Sequence, residues 1–222
     1  RQLEQEYDRE IDLELVALEP KERIPQLISG EVDIVCDASS FTWERDRTID
    51  FSFSYGSTGT RLLTKRGNKY WDPESLVNIR IGALAKTTNE QVIRTIQPKA
   101  EIVLLKDRAE GFAALRSGKI DAFASDGILL ESWLQNAPDR QNWQIVGDYS
   151  FEGIACMLPE NNSQFLNTVN YTLTKFMQGV LDEQPEYVAI FDQWFGPQGA
   201  LPLTQDLKNI MIDNMQLLID FK

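Results

Sequence analysis

Short, nearly continuous apolar runs recur along this chain with helical patterns between most of them, and no other feature narrows its fold as far. Strand-like runs fall at residues 11–18, 32–37, 79–85, 101–105, 120–125, 144–146 and 154–158. A strand covered on both faces reads as an unbroken aliphatic run, whereas one with a wet face alternates. The pattern therefore predicts an α/β fold with largely parallel sheets flanked by helices. At 222 residues, 42% of them hydrophobic, the chain is long enough for two small lobes that share connections.

An internal echo supports two lobes. Leu27-Ile28-Ser29-Gly30-Glu31-Val32-Asp33-Ile34 returns as Leu115-Arg116-Ser117-Gly118-Lys119-Ile120-Asp121-Ala122. Each copy reads as helix, glycine stop, strand, because glycine just past a helix takes the left-handed turn that ends it. Two copies predict two similar α/β lobes facing one another across a cleft. From residue 161 onward the pattern is helical. Phe165, Val169, Leu173, Phe176, Met177 and Val180 share one face, with Ser163 as the expected N-cap. A second stripe holds Tyr187, Ile190, Phe191 and Trp194. A last helix is expected from Thr204 to Phe221, with Leu207, Ile210, Met211, Met215, Leu217 and Leu218 as its apolar set. These read as packing faces, since their polar sides lack the basic residues of a membrane-surface helix.

Composition removes several function classes. The net charge of -12 opposes phosphate contacts, so nucleic acid is not an expected partner. The longest apolar stretches, such as 102–105 and 210–211, fall far short of the roughly 20 residues of a membrane span. No secretory signal opens the chain, as expected where one has been cleaved. Histidine is absent, which removes the commonest general base and the commonest transition-metal ligand, and no metal or cofactor is expected. The two cysteines, Cys36 and Cys156, lack zinc-site spacing and read either as buried thiols or as one pair. Carboxylates are abundant but none is marked by spacing or by a partner that tunes it, so no catalytic group is expected.

Ligands of open α/β sheets bind beyond the carboxyl ends of the strands. After the first echoed strand comes Asp37-Ala38-Ser39-Ser40-Phe41-Thr42-Trp43-Glu44-Arg45, and after the second comes Ser125-Asp126-Gly127. Arginine offers a planar fork that matches a carboxylate, and aspartate accepts from an ammonium group. Arg45 and Asp126 in opposite lobes fit a zwitterion, and closure would complete both pairings at once. The alternative uses are that Arg45 pairs with surface carboxylates and Asp126 caps a helix. Lys86-Thr87-Thr88-Asn89-Glu90 opens a further helix and reads either as an anion site or as an ordinary Thr N-cap with a first-turn glutamate.

Arg23-Ile24-Pro25, Val32-Asp33-Ile34-Val35-Cys36, Glu44-Arg45 with Asp50-Phe51-Ser52, Gly59-Thr60-Arg61-Leu62-Leu63-Thr64-Lys65, Thr87-Thr88, Ser125-Asp126 and Cys156-Met157-Leu158 follow one another along the chain. In this order they resemble the bacterial extracellular solute-binding proteins for polar amino acids, periplasmic partners of ABC importers and relatives of the ligand-binding core of ionotropic glutamate receptors. The glutamate/aspartate-binding branch is the one they look like in particular. The resemblance implies a type 2 periplasmic binding protein fold, each lobe a sheet flanked by helices, with crossings near residues 55–58 and 152–155. Lobe 1 is then residues 1–56 plus 154–222, and lobe 2 is 57–153.

It also implies a binding protein without catalytic residues. Arg45 would clamp the ligand's α-carboxylate with help from Ser40 and Thr88, beside Thr87, and Asp126 would take the α-ammonium. Arg23 and Arg108 would stand near the ligand side chain, where two cations favour an acidic group. The branch usually has a histidine where this chain has Arg108 and a serine where it has Ala38, which alters the side-chain pocket. The implied partners are a free amino acid and an ABC membrane permease, with a monomer working in the periplasm or outside the cell. Cys36 and Cys156 would lie on neighbouring strands, bonded in an oxidising compartment or left as a buried thiol pair. Such proteins normally begin with a strand and a ligand-contacting loop, whereas Arg1-Gln2-Leu3 resembles the helix after them, so the first strand is missing. A sensory module of the same fold is the alternative role. A dehydratase-like or lytic transglycosylase-associated use of Glu44, Asp126 or Glu152 is the enzymatic one.

Overall fold

The computed structural model describes residues 3–4, 8–199, 202–203 and 205–219. Two compact units emerge: residues 1–17, 24–57 and 153–222 form the first, and 18–23 with 58–152 form the second. Besides a short excursion over residues 18–23, the chain therefore passes between them at residues 57/58 and 152/153. Those passages are strands β2 (Gly56–Thr58) and β8 (Glu152–Ile154), which pair as a two-stranded ribbon.

The second unit is a five-stranded sheet between helices. Its strands are β3 (Thr60–Lys65), β4 (Arg80–Leu84), β5 (Glu101–Leu105), β6 (Ala122–Asp126) and β7 (Trp143–Val146), in the order β5-β4-β6-β3-β7. The β4–β5 and β4–β6 pairs are parallel, but β3 runs antiparallel to both β6 and β7. The sheet is mixed, which corrects the expectation of largely parallel pairing. A strand entering from the other unit can add to a parallel sheet in either direction, and periodicity carries no information on direction.

Alternation along each strand sends neighbours to opposite faces. Leu63, Leu84 and Phe123 join one core with Leu115 and Leu130, while Leu62, Ala83 and Ala124 join another with Ile93. Helix α2 (Thr88–Ile96) covers the second core; α3 (Arg108–Ser117) and α4 (Gly127–Asn136) cover the first. Helix α3 shows why these residues form a helix. Asp107 caps its first turn by accepting from the Glu110 N–H at 2.8 Å, and Gly118 ends it at φ 73° with its N–H on the Ala114 and Leu115 carbonyls. Gly59, between β2 and β3, is required by crowding: a Cβ there would lie 1.9 Å from the Ser150 carbonyl oxygen.

The first unit departs further from expectation. Helix α1 (Arg23–Ser29) ends as the echo predicts, with Gly30 at φ 76°. The strand expected at 32–37 is reduced to a single bridge between Val35 and Met157. The strand expected at 11–18 does not form, and Leu13 and Leu15 stand 82% and 88% exposed. A strand persists only where a neighbour pairs with its edge, and among the described residues these two runs have no ladder. The run at 154–158 splits between β8 and β9 (Met157–Pro159), and β9 pairs antiparallel with β1 (Ile49–Phe51).

Helices α5 (Ser163–Leu181), α6 (Pro185–Phe195) and α7 (Gln205–Ile219) pack around Met177, Phe191, Met211 and Met215. The N-cap of α5 is Asn162, whose side chain accepts from the Phe165 N–H, rather than Ser163. Of the α6 stripe Phe191 is buried, but Ile190 and Trp194 are largely exposed, so that stripe is narrower than expected. Arg1 and Gln2 of the expected opening helix, Thr204 and Phe221 at the ends of the last one, and the Leu207 and Leu218 side chains lie outside the described residues.

Candidate functional site

In the first unit the segment after the Val35 bridge is held by backbone bonds to the β8–β9 region. The Phe41 N–H donates to the Gly153 carbonyl at 3.0 Å, and the Ala155 N–H donates to that of Ser39 at 3.1 Å. Cys36 and Cys156 are bonded, closing the open choice between a thiol pair and a disulfide. Ser39 donates to the Asp37 carboxylate, and the Tyr55 hydroxyl donates to the Asp37 carbonyl. Arg45 begins a 3-10 turn, Arg45–Arg47, with its own N–H on the Thr42 hydroxyl. Its guanidinium Nη1 donates to the Ser40 carbonyl at 2.9 Å. Ser40 and Arg45 are thus brought together, beside half-buried Ala38. Arg23, the last residue of the 18–23 stretch of the second unit, opens α1 and is half-buried.

In the second unit Asp126 ends β6 at the position before α4, yet its side chain makes no capping bond. Helix capping is therefore not what its carboxylate is used for. It is 4% exposed and accepts from the Asn89 amide nitrogen at 3.3 Å. Burial pushes its pKa up to about 6; the Asn89 bond and the Arg108 charge oppose the rise, and the Glu152 charge adds to it. Asn89 is itself oriented by the Thr60 hydroxyl, which donates to Oδ1 at 2.9 Å. Thr60 faces Asp126 across the β3–β6 pair.

Thr87 is an N-cap: its hydroxyl accepts from the Glu90 N–H at 3.3 Å and donates to the Leu84 carbonyl at 2.7 Å. Thr88, the first residue of α2, is buried. Arg108, the first residue of α3, is half-buried, and its Nε is buried without a partner. Among the described residues, the buried side-chain polar atoms with no hydrogen bond are Arg108 Nε, Thr58 Oγ1 and Glu152 Oε2, all three in the second unit. Buried polar atoms are almost always paired in a finished fold, so such atoms point to a ligand face. Among the described residues no group of three or more Cys, Asp or Glu side chains is arranged to hold a metal ion.

Thr58 and Ser150 were not reachable from the sequence as site residues; Thr60 and Asn89 stood there only within longer segments, and Glu152 only as a group for an enzymatic use. Their roles come from β3 lying between β6 and β7, and no local motif announces that. The nearest signal was Asn89, next to the Thr87-Thr88 pair.

This chain passes between two compact units and carries buried polar atoms without a partner on the second of them. It belongs to the bacterial extracellular solute-binding proteins, family 3, which it matches over residues 1–197. It is 29% identical to the L-glutamate/L-aspartate-binding protein of Pseudomonas aeruginosa, over 85% of this chain and 65% of that one. It is likewise 29% identical to the glutamate/aspartate import solute-binding protein of Escherichia coli, over 84% and 62%. An ABC transporter glutamine-binding protein of Bacillus subtilis is 30% identical over 78% and 62%. The chain thus spans less than two thirds of the length of these relatives. Among solved structures, an ancestral arginine-binding protein bound to glutamine superposes with a TM-score of 0.74 at 24% identity, covering 88% of this chain and 84% of that one. An ancestral amino acid-binding protein described as a precursor of cyclohexadienyl dehydratase superposes at 0.69 and 25% identity, over 82% and 76%. No described helix is long and apolar enough to cross a membrane.

Proposed function

We propose that this chain captures a free polar L-amino acid, with glutamate and aspartate as the first choice, for delivery to an ABC importer. The observation that carries this is the Asp126 carboxylate, buried, accepting from the Asn89 amide at 3.3 Å and not used to cap its helix. An ammonium group is the partner that such a carboxylate lacks. On the first unit Arg45, with Ser40, supplies the fork for the α-carboxylate, and Thr88 on the second unit assists it. Arg23 and Arg108 favour an acidic side chain, and Arg108 has a buried Nε ready to donate. Ala38 carries no hydroxyl where the branch that the chain resembles usually has a serine. The Cys36–Cys156 bond supports an oxidising compartment outside the cytoplasm, as a monomer serving a membrane permease requires.

Thermal unfolding with glutamate, aspartate, glutamine, arginine, alanine and a control sugar tests the proposal, on this protein and on Arg45→Ala. At about 100 times Kd a ligand adds roughly 2.7 kcal/mol, which moves Tm by about 5 to 10 °C in a chain of this size. The expected result is a selective rise with the acidic amino acids that Arg45→Ala abolishes. A rise with glutamine alone would assign the pocket to the neutral amide, and no rise with any amino acid would refute amino-acid capture by this chain.

A further inference from the structure

We propose that Glu152 is a specificity-determining residue, forming with Asp126 and the Thr58 hydroxyl a three-acceptor receptor for a primary ammonium group of the ligand. This rests on the assignment of Asp126 to the ligand's ammonium. One hydrogen-bonded path links the two carboxylates. The Ser150 hydroxyl donates to Glu152 Oε1 at 2.5 Å and accepts from the Thr60 N–H at 2.9 Å. Thr60 in turn orients Asn89 through its own hydroxyl, and Asn89 donates to Asp126. Glu152 is therefore held by one oxygen while the other, Oε2, is buried and without a partner.

Thr58 lies on β2 and Glu152 on β8, the two strands of one ribbon, and Thr58 is 8% exposed with its Oγ1 also unpaired. Two like charges held near each other repel, as the influence of Glu152 on Asp126 shows. The fold does not relieve this with a second hydrogen bond to Glu152. A primary ammonium relieves it fully, because it has three N–H donors for three acceptors: an Asp126 oxygen, Glu152 Oε2 and Thr58 Oγ1. An N-alkylated amine has one donor fewer and leaves a buried acceptor unmet, which is the situation that binding sites reject most strongly.

Titration calorimetry of this protein and of Glu152→Gln with L-glutamate, L-glutamine and N-methyl-L-glutamate decides the matter. The expected result is a loss of about 10- to 100-fold in affinity for the preferred amino acid in Glu152→Gln, the effect of removing one charge-assisted hydrogen bond. The preference of the parent protein for the unmethylated ligand should shrink by a similar factor, since the two changes touch the same contact. Unchanged affinity in a folded Glu152→Gln would overturn the role of Glu152 and leave amino-acid capture standing. Lost affinity with an unchanged methyl preference would reduce Glu152 to a structural group. A parent protein that binds neither these three nor any amino acid of the thermal panel would overturn both proposals. Should Glu152→Gln fail to fold, Glu152→Asp carries the same test, with the carboxylate kept but drawn back, and the same two losses expected at smaller size.

Discussion

Replacing both cysteines, Cys36→Ser with Cys156→Ser, is expected to destabilise the protein by about 2 to 5 kcal/mol and to lower Tm by about 5 to 20 °C. The bond joins residues 120 apart in sequence, a long loop whose closure removes much freedom from the unfolded chain. It also acts where the fold is locally weak. Residues 32–37 have the composition of a strand but keep only the Val35–Met157 bridge, so a covalent tie fastens a segment that a hydrogen-bond ladder does not. The candidate site residues of the first unit, from Ala38 to Arg45, follow closely after Cys36. Calorimetry with and without reductant measures the effect, and reductant should shift the parent protein to the Tm of the double variant. Equal Tm values for all samples would show that the bond contributes nothing.

Asp126→Asn is expected to bind no amino acid and yet to be the more stable protein at neutral pH. The folded carboxyl titrates near 6 against 3.8 for the free group, because burial disfavours its charge. Between those values the folded state holds more protons than the unfolded one, so the contribution of Asp126 to stability falls as pH rises from about 4 to about 6. Above that range the charged form costs up to about 3 kcal/mol in the unliganded protein, two pK units at about 1.4 kcal/mol each. The amide removes this cost, so its advantage should be full at pH 8 and vanish near pH 4. In the parent protein, ligand affinity should drop as pH falls through 6, when the acceptor of the ammonium becomes protonated. Tm measured across that pH range for both proteins gives the answer. An asparagine variant that is less stable at pH 8, or that still binds, would contradict this account of Asp126.

Much of the second unit was legible in the sequence. The runs at 79–85, 101–105, 120–125 and 144–146 all became strands, because aliphatic residues covered on both faces leave an unbroken apolar trace. The interior strand β3 was missed as a strand. Its sequence Thr60-Arg61-Leu62-Leu63-Thr64-Lys65 has only two apolar residues, and Thr60 and Thr64 are buried by hydrogen bonding to Asn89 and to the Asp121 carbonyl. A threonine whose hydroxyl finds an internal partner behaves as a core residue, and no neighbour in sequence reveals that partner. The errors at 11–18 and 32–37 run the other way. Their apolar character is real, but a strand is a property of a pair of edges.

Charge chemistry selected Arg45 and Asp126 from the residues after the two echoed strands; Arg45 begins a 3-10 turn and Asp126 ends β6. Complementary side-chain types on comparable loops can be read from a linear chain. The sequence by itself thus determined the α/β class and the echoed helix-glycine units, and it nominated residue types that suit a zwitterion, since these depend on local periodicity, turn conformation and charge. Only the tertiary structure decided the antiparallel placement of β3, the Cys36–Cys156 bond and the hydrogen-bonded path from Glu152 through Ser150, Thr60 and Asn89 to Asp126. Those contacts join residues far apart in the chain, and their energies exist only once the β2–β8 ribbon and the five-stranded sheet have brought the partners within hydrogen-bonding or bonding distance.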